Sequence, residues 1–229
     1  MIFSEQINLL PYDWLELLKP YLVSERGKRT IAQLDNFLGS QVGHFHPDEH
    51  MMFVPFHSIA VQKIKVVIVG HFPYPKASHT TGLPFSNPRQ CPMALSVQNI
   101  YKSIINDVGG RMPIHGNLEH LPSQGVFLLN RKFTTGYPYK TFPNGHTGVG
   151  WENFSAAVIY LLSKKLDKAA FLLWGVPAGE ASRWIEKRHL TLKSSHPSFS
   201  PKNGENPFLV CRHFSATNDF LQKLLYPLM

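Results

Sequence analysis

The stretch Lys65-Val-Val-Ile-Val-Gly-His-Phe-Pro-Tyr-Pro-Lys-Ala-Ser-His-Thr-Thr-Gly-Leu-Pro-Phe-Ser86 joins a short apolar run to a loop dense in prolines, histidines and aromatic rings. Val66 to Val69 is β-branched at every position, the pattern of a strand buried on both faces. The run stops at Gly70. The loop that follows carries His71, Phe72, Pro73, Tyr74 and Pro75, and later Phe85 and Ser86. In open α/β sheets, ligands sit at the carboxyl ends of strands, so a buried strand delivering such a loop predicts a binding or catalytic site there.

Working outward, three more runs read as strands: Val126–Asn130, Ala169–Trp174 stopped by Gly175, and His189–Ser194. Helical periodicity covers Pro11–Val23, Lys28–Leu38, Pro92–Val108 (opening near Ser96), Trp151–Leu162, Pro177–Arg188 and Phe208–Tyr226. Residues 131–149 show no clear period and are expected to form a long loop. Strands alternating with helices predict an α/β fold: a three-layer sandwich with a central four-stranded parallel sheet flanked by helices. No linker or composition shift divides the chain, so residues 1–229 are expected to form a single domain.

The 229 residues are 43% hydrophobic and 17% charged, enough for a sizeable core and unlike a disordered chain. A formal net charge of +8 fits a polyanionic partner, although a charged surface kept soluble explains it equally well. Two cysteines, Cys91 and Cys211, imply no disulfide framework and fit a reducing compartment. The first ten residues make a poor signal peptide, and no apolar run reaches the ~20 residues of a membrane span. A cytoplasmic protein without a membrane partner is expected. His44-Phe-His-Pro-Asp-Glu-His50 has metal-ligand residue types, but Pro47-Asp48-Glu49 reads as a helix start instead.

In a parallel sheet the strand ends share one edge. His71 to Tyr74, Asn130, Gly175 and His196 therefore converge from distant parts of the sequence. Singly, each has a bland explanation; Asn130, for example, could cap the following segment. Their convergence is what favours a site. No phosphate-cradling glycine motif, paired-cysteine metal motif or nucleophile elbow is present, so no nucleotide cofactor, metal or other cofactor is called for.

The blocks around these positions resemble the uracil-DNA glycosylase superfamily, most closely the classical family whose active-site loop reads G-Q-D-P-Y-H. Gly70-His-Phe-Pro-Tyr-Pro75 occupies that loop. Gly82-Leu-Pro-Phe-Ser86 is similar to the family's G-L-A-F-S, and Gln124-Gly-Val-Phe-Leu-Leu-Asn130 to Q-G-V-L-L-L-N. Gly150-Trp-Glu-Asn-Phe154, Phe171-Leu-Leu-Trp-Gly175 and Leu192-Lys-Ser-Ser-His-Pro-Ser198 resemble further family blocks, in family order.

The resemblance implies a DNA glycosylase that flips a nucleotide from single- or double-stranded DNA and hydrolyses its N-glycosidic bond, acting as a monomer. It implies that Phe85 stacks on the base, Asn130 reads its edge and Tyr74 walls the pocket beside C5. His196 would donate to O2 of the departing base, with help from backbone N–H groups around His71 and Phe72. Ser86, Ser96, Gly175 and Ser198 would grip phosphates, and Phe199 would fill the gap left in the stack.

Three departures fall in the catalytic loop. The family's glutamine, aspartate and histidine are His71, Phe72 and Pro75 here. The segment after Pro197-Ser198 is one residue shorter than the family's, and 131–150 is slightly longer. Without the aspartate, His71 is expected to orient the attacking water. The first expectation is excision of a modified or unusual pyrimidine, such as hypermodified cytosine in viral DNA, as antiviral defence. The alternatives are uracil excision in base excision repair and a catalytically inert binder of DNA or flipped bases.

Overall fold

The four apolar runs all become strands, and the tertiary contacts of their neighbours set where the helices end. The computed structural model describes residues 1–136, 145–201 and 206–225. In chain order the helices are α1 (Ile2–Asn8), α2 (Tyr12–Leu22), α3 (Glu25–Ser40), α4 (Val54–Ser58), α5 (Leu95–Val108), α6 (Trp151–Lys165), α7 (Val176–Gly179) and α8 (His213–Leu225). The strands are β1 (Phe45–His46), β2 (Val66–Gly70), β3 (Val126–Asn130), β4 (Thr135–Gly136), β5 (Ala170–Trp174) and β6 (Leu190–Ser194). A four-stranded parallel sheet has the order β3-β2-β5-β6. A separate antiparallel pair joins β1 to β4.

Strand residues alternate between two cores. Val67, Val69, Phe127, Leu129, Phe171 and Leu173 pack with residues of α1, α2, α3 and α6. Val66, Ile68, Leu128, Ala170, Leu172 and Trp174 pack with residues of α5 and α8 on the other face. The sheet is thus the middle of three layers, which is why β2, β3 and β5 are apolar almost throughout, whereas the edge strand β6 (Leu190-Thr-Leu-Lys-Ser194) is only partly buried. The first core is rich in aromatic rings. Phe154, fully buried, meets Phe3 edge-on at 5.2 Å and Phe53 at 6.0 Å, while Phe133 stacks on Trp151 at 4.8 Å.

Register brings the strand ends together. Gly70 lies opposite Asn130, Val69 opposite Leu173, and Trp174 opposite Ser194. The loops after β2, β3, β5 and β6 therefore leave from one edge.

Four sequence expectations need correction. The helix expected from Lys28 begins at Glu25: Ser24 is the N-cap of α3, its hydroxyl accepting from the Gly27 amide at 3.0 Å. The helix expected over Pro177–Arg188 is α7 followed by a 3₁₀ turn at Glu180–Trp184. Beyond it, the Glu186 amide donates to Ser163 Oγ and the Arg188 guanidinium to the carbonyls of Ser163, Lys164 and Leu166, drawing the chain onto the end of α6. The closing helix is likewise divided into a 3₁₀ turn at Pro207–Val210 and α8. Asp107 accepts from the Phe214 and Ser215 amides and fixes the start of α8 from outside the helix. The expected helix end at Tyr226 and most of the expected 131–149 loop beyond Gly136 lie outside the described residues. The helix start near Pro47 is a 3₁₀ turn at Glu49–Met51, after Asp48.

Phe154→Ala should cost about 3–5 kcal/mol, because it empties the centre of the aromatic core. Urea unfolding followed by circular dichroism measures this; a loss below ~1 kcal/mol would mean that the core does not depend on this ring.

Candidate active site

The site begins with an absent side chain. Gly70 ends β2, and a Cβ there would lie 2.6 Å from Asn130 Oδ1 and 2.7 Å from Phe85 Cζ. Glycine is what allows the amide and the phenyl ring to approach across the strand end. Asn130 is buried at the end of β3, and its amide has no hydrogen-bond partner among the described residues. Phe85 holds a left-handed backbone at φ 65°, rare for a bulky residue. Its conformation is held by the Ser86 amide on the Leu83 carbonyl and by Tyr74 Oη, which donates to the Phe85 carbonyl at 2.7 Å. Phe85 lies 5.5 Å from Trp174 and 5.8 Å from His196 between ring centroids.

A cleft of about 510 Å³ is lined by His71, Phe72, Tyr74, Phe85, His196 and Phe199 among others. Asn130 borders a separate niche of about 20 Å³, and Tyr74 and Phe85 line both spaces. Tyr74 is held in place on both sides. Having given its proton to Phe85, its oxygen accepts from Ser96 Oγ at 2.6 Å. Burial pushes its phenol well above the ordinary value, so it stays neutral.

His196 and His71 are both neutral, for reasons visible in their surroundings. His196 Nδ1 accepts from the Ser198 amide at 3.2 Å and lies 2.8 Å from Ser198 Oγ. That leaves the proton on Nε2. Burial pushes the His196 pKa down to about 4. His71 Nε2 lies 3.0 Å from Lys132 Nζ. Burial, with the Lys132 charge second and those of His196 and Arg131 following, pushes the His71 pKa down to about 4 as well. The expected role of His71 as a water acceptor does not fit this geometry, because an ammonium occupies its Nε2. Phe72 meets the His71 ring edge-on at 4.6 Å, and its amide N–H has no acceptor among the described residues.

The sequence reading overlooked two buried cations. Arg131 and Lys132 follow Asn130 directly, and each is only 4% exposed. The Arg131 guanidinium donates to Ser155 Oγ at 2.7 Å and lies over the Trp184 ring. Lys132 Nζ donates to Thr147 Oγ1 at 2.7 Å and lies 5.9 Å from the Phe72 ring centroid. Consecutive cations immediately after a buried strand were the available signal.

The residues expected to grip phosphate separate on inspection. Ser86 is fully buried, and its hydroxyl accepts from the Leu118 amide at 3.1 Å, so it is an interior residue and cannot reach a phosphate. The Ser96 hydroxyl is committed to Tyr74, although the residue stands in the first turn of α5, where backbone amides lack helical partners. The Gly175 amide donates to the Ser194 carbonyl at 2.9 Å, and a Cβ on Gly175 would come within 3.3 Å of His196 Cβ. Its contribution here is clearance for the histidine. Ser198 orients His196, and Phe199 stands 48% exposed at the rim of the cleft. Among the described residues, no group of three His, Cys, Asp or Glu side chains is placed to hold a metal.

With this geometry in hand, comparison with known proteins identifies the family. Residues 56–222 match the model of the uracil DNA glycosylase superfamily. Uracil-DNA glycosylase 1 of Bacteroides fragilis is 37% identical over 204 residues, covering 88% of this chain and 90% of its own. The uracil-DNA glycosylase of Campylobacter curvus is 38% identical over 218 residues, covering 95% and 90%. The crystal structure of mimivirus uracil-DNA glycosylase superposes with a TM-score of 0.80 at 27% identity, over 97% of this chain and 87% of that one. The chain belongs to the uracil DNA glycosylase superfamily.

Two outcomes follow from the packing of this site. Gly70→Ala should push the Phe85 ring and the Asn130 amide apart and cost about 1–3 kcal/mol by overpacking; unchanged stability and an unmoved Phe85 in a crystal structure of the variant would refute the close approach. The second concerns acid. His71, His196 and His146 are each held near pKa 4, below the ordinary 6.5. The unfolded chain therefore takes up their protons first. Stability should be full above pH 6.5 and fall as pH drops from 6.5 toward 4, read as a declining Tm. A flat Tm across that window would count against buried neutral imidazoles.

Proposed function

We propose that this chain is a DNA glycosylase that flips uracil out of DNA into the cleft and hydrolyses its N-glycosidic bond, leaving an abasic site. The observation that carries this is the unpartnered Asn130 amide beside the Phe85 ring, with His196 Nε2–H nearby. The base stacks on Phe85 and presents its edge to Asn130. One amide donor and one acceptor complement the carbonyl and N–H of uracil's imide. His196 and the Phe72 amide donate to O2.

As the C1′–N bond breaks, its electron pair leaves with the base. The charge spreads onto O2, where those donors meet it. The sugar becomes oxocarbenium-like and takes the oxygen of a water at C1′. One proton of that water is released, and the departed base recovers one. Phe72 offers no carboxylate to stabilise the sugar cation or hold the water. The chemistry is therefore weighted toward stabilising the leaving group, and neutral water attacks a centre already strongly electrophilic.

Uracil is preferred here to the hypermodified cytosine expected first. The relatives are named as uracil-DNA glycosylases, and Tyr74, tied to the Phe85 carbonyl and Ser96, would obstruct a large group at C5. The role that follows is base excision repair. Phosphates on the flanking strand are met by the α5 amides near Ser96 and by the loop at Ser198, with Phe199 entering the stack. Free Cys91 and Cys211 suit a reducing cytoplasm, and no helix among the described residues is long and apolar enough to cross a membrane. We take the chain to act as a single-domain monomer.

Uracil-containing oligonucleotides should acquire abasic sites on incubation with the protein. His196→Ala should lower kcat by about 10²–10³-fold, the cost of losing a preorganised donor. Phe72→Ala should change it only a few-fold, since the ring supplies neither charge nor proton. Abasic sites in DNA carrying hypermodified cytosine, with uracil untouched, would return the substrate to the first expectation. Tight DNA binding with no abasic sites on either substrate would identify an inert binder.

A further inference from the structure

The contact between Lys132 and His71 has a consequence for the catalytic loop. Lys132 is buried, donates to Thr147 Oγ1, and has its Nζ 3.0 Å from His71 Nε2. Its own backbone amide donates to the His71 carbonyl at 2.9 Å, so the two residues are tied at main chain and side chain alike. An ammonium has three donors and no acceptor, so the lone pair of His71 must sit on Nε2. A neutral imidazole then carries its proton on Nδ1. That nitrogen points away from Lys132 and has no protein partner among the described residues, while His71 borders the cleft.

We propose that Lys132 is a positioning residue that locks His71 in the neutral Nδ1–H tautomer, making His71 a second imidazole donor to the departing base instead of the acceptor of the attacking water. The role assigned to His71 rests on the cleft being a base-excision site, whereas the tautomer does not. His196 then presents Nε2–H and His71 Nδ1–H, each neutral and each fixed by a partner behind it: the Ser198 amide in one case, Lys132 in the other. The charged groups facing His71 are Lys132 and, further off, Arg131, with His196 neutral. All of them disfavour an imidazolium, so His71 donates without ever carrying charge. This division of labour also explains why a phenyl ring is tolerated at Phe72. A carboxylate at this position would stand beside Lys132 and compete with His71 for its protons.

The test is nitrogen NMR on protein labelled with ¹⁵N-histidine at neutral pH, on wild type and on Lys132→Met and Lys132→Arg. In the wild type His71 should show a protonated Nδ1 and an unprotonated Nε2. Lys132→Met should shift His71 toward the Nε2–H tautomer and raise its pKa above about 4, with burial, the larger cause, still holding it below 6.5, while Lys132→Arg should restore the wild-type pattern. A wild-type His71 with its proton on Nε2, or a spectrum unchanged in Lys132→Met, would overturn the proposal. The wild-type spectrum alone decides the tautomer even if the methionine variant fails to fold. In uracil excision, Lys132→Met should lower kcat at least about tenfold with KM for DNA unchanged, since a histidine in the wrong tautomer cannot donate. If the wild type excises no uracil yet shows the Nδ1–H tautomer, it is the substrate reading that fails and the positioning role of Lys132 that stands.

Discussion

The whole site depends on a hydrogen atom where a side chain would be. At Gly70 the central strand reaches the sheet edge, and the space a Cβ would take is already held by Asn130 Oδ1 and the tip of Phe85. Everything else is arranged to keep that approach in place. Parallel pairing sets Gly70 beside Asn130. Tyr74, donating to the Phe85 carbonyl and accepting from Ser96, holds a strained backbone that would otherwise relax. Strain of ~1–3 kcal/mol of this kind persists only when its surroundings over-determine it. Here two hydrogen bonds and a buried sheet do so.

The electrostatics around that approach differ from what a carboxylate-bearing loop would produce. Lys132 and Arg131 are buried cations, and the imidazoles of His71 and His196 are both driven to neutrality. Burying a charge is costly unless hydrogen bonds satisfy it. Thr147 and His71 take protons from Lys132, and Ser155 and the Trp184 ring receive Arg131. On the proposed reading, such cations would oppose positive charge developing on the sugar and favour negative charge on the departing base.

The fold was legible because its signal is one of burial. β2, β3 and β5 are apolar on both faces, the limits of all four strands fall within a residue of those expected, and alternation with helices fixed the parallel topology. The convergence of His71 to Tyr74, Asn130, Gly175 and His196 was expected from topology alone. What failed had tertiary causes. The helix expected to Arg188 is cut short by bonds to the end of α6, and α8 starts where Asp107 on another helix dictates. Ser86 sits in a recognisable block, yet nothing in its neighbours reveals that the Leu118 amide claims its hydroxyl. The role of Lys132 was hidden for a different reason. A lysine after a strand ordinarily points to solvent, and only the folded loop shows its ammonium turned inward onto His71.

The loop departures are therefore one change instead of several. Replacing an aspartate by Phe72 removes the anion that would pair with a nearby ammonium, and the ring lies beside Lys132 without competing for its protons. His71, one residue earlier, adds an acceptor for Lys132 beside Thr147 Oγ1. Each substitution alone leaves a fault: an imidazole with an unspecified tautomer, or a carboxylate that competes with His71 for Lys132. Together, Phe72, His71 and Lys132 fix the tautomer and the charge state of the imidazole beside the loop. Such mutual dependence is what a packed, low-dielectric site imposes, because there a polar group left half satisfied costs more than an apolar one.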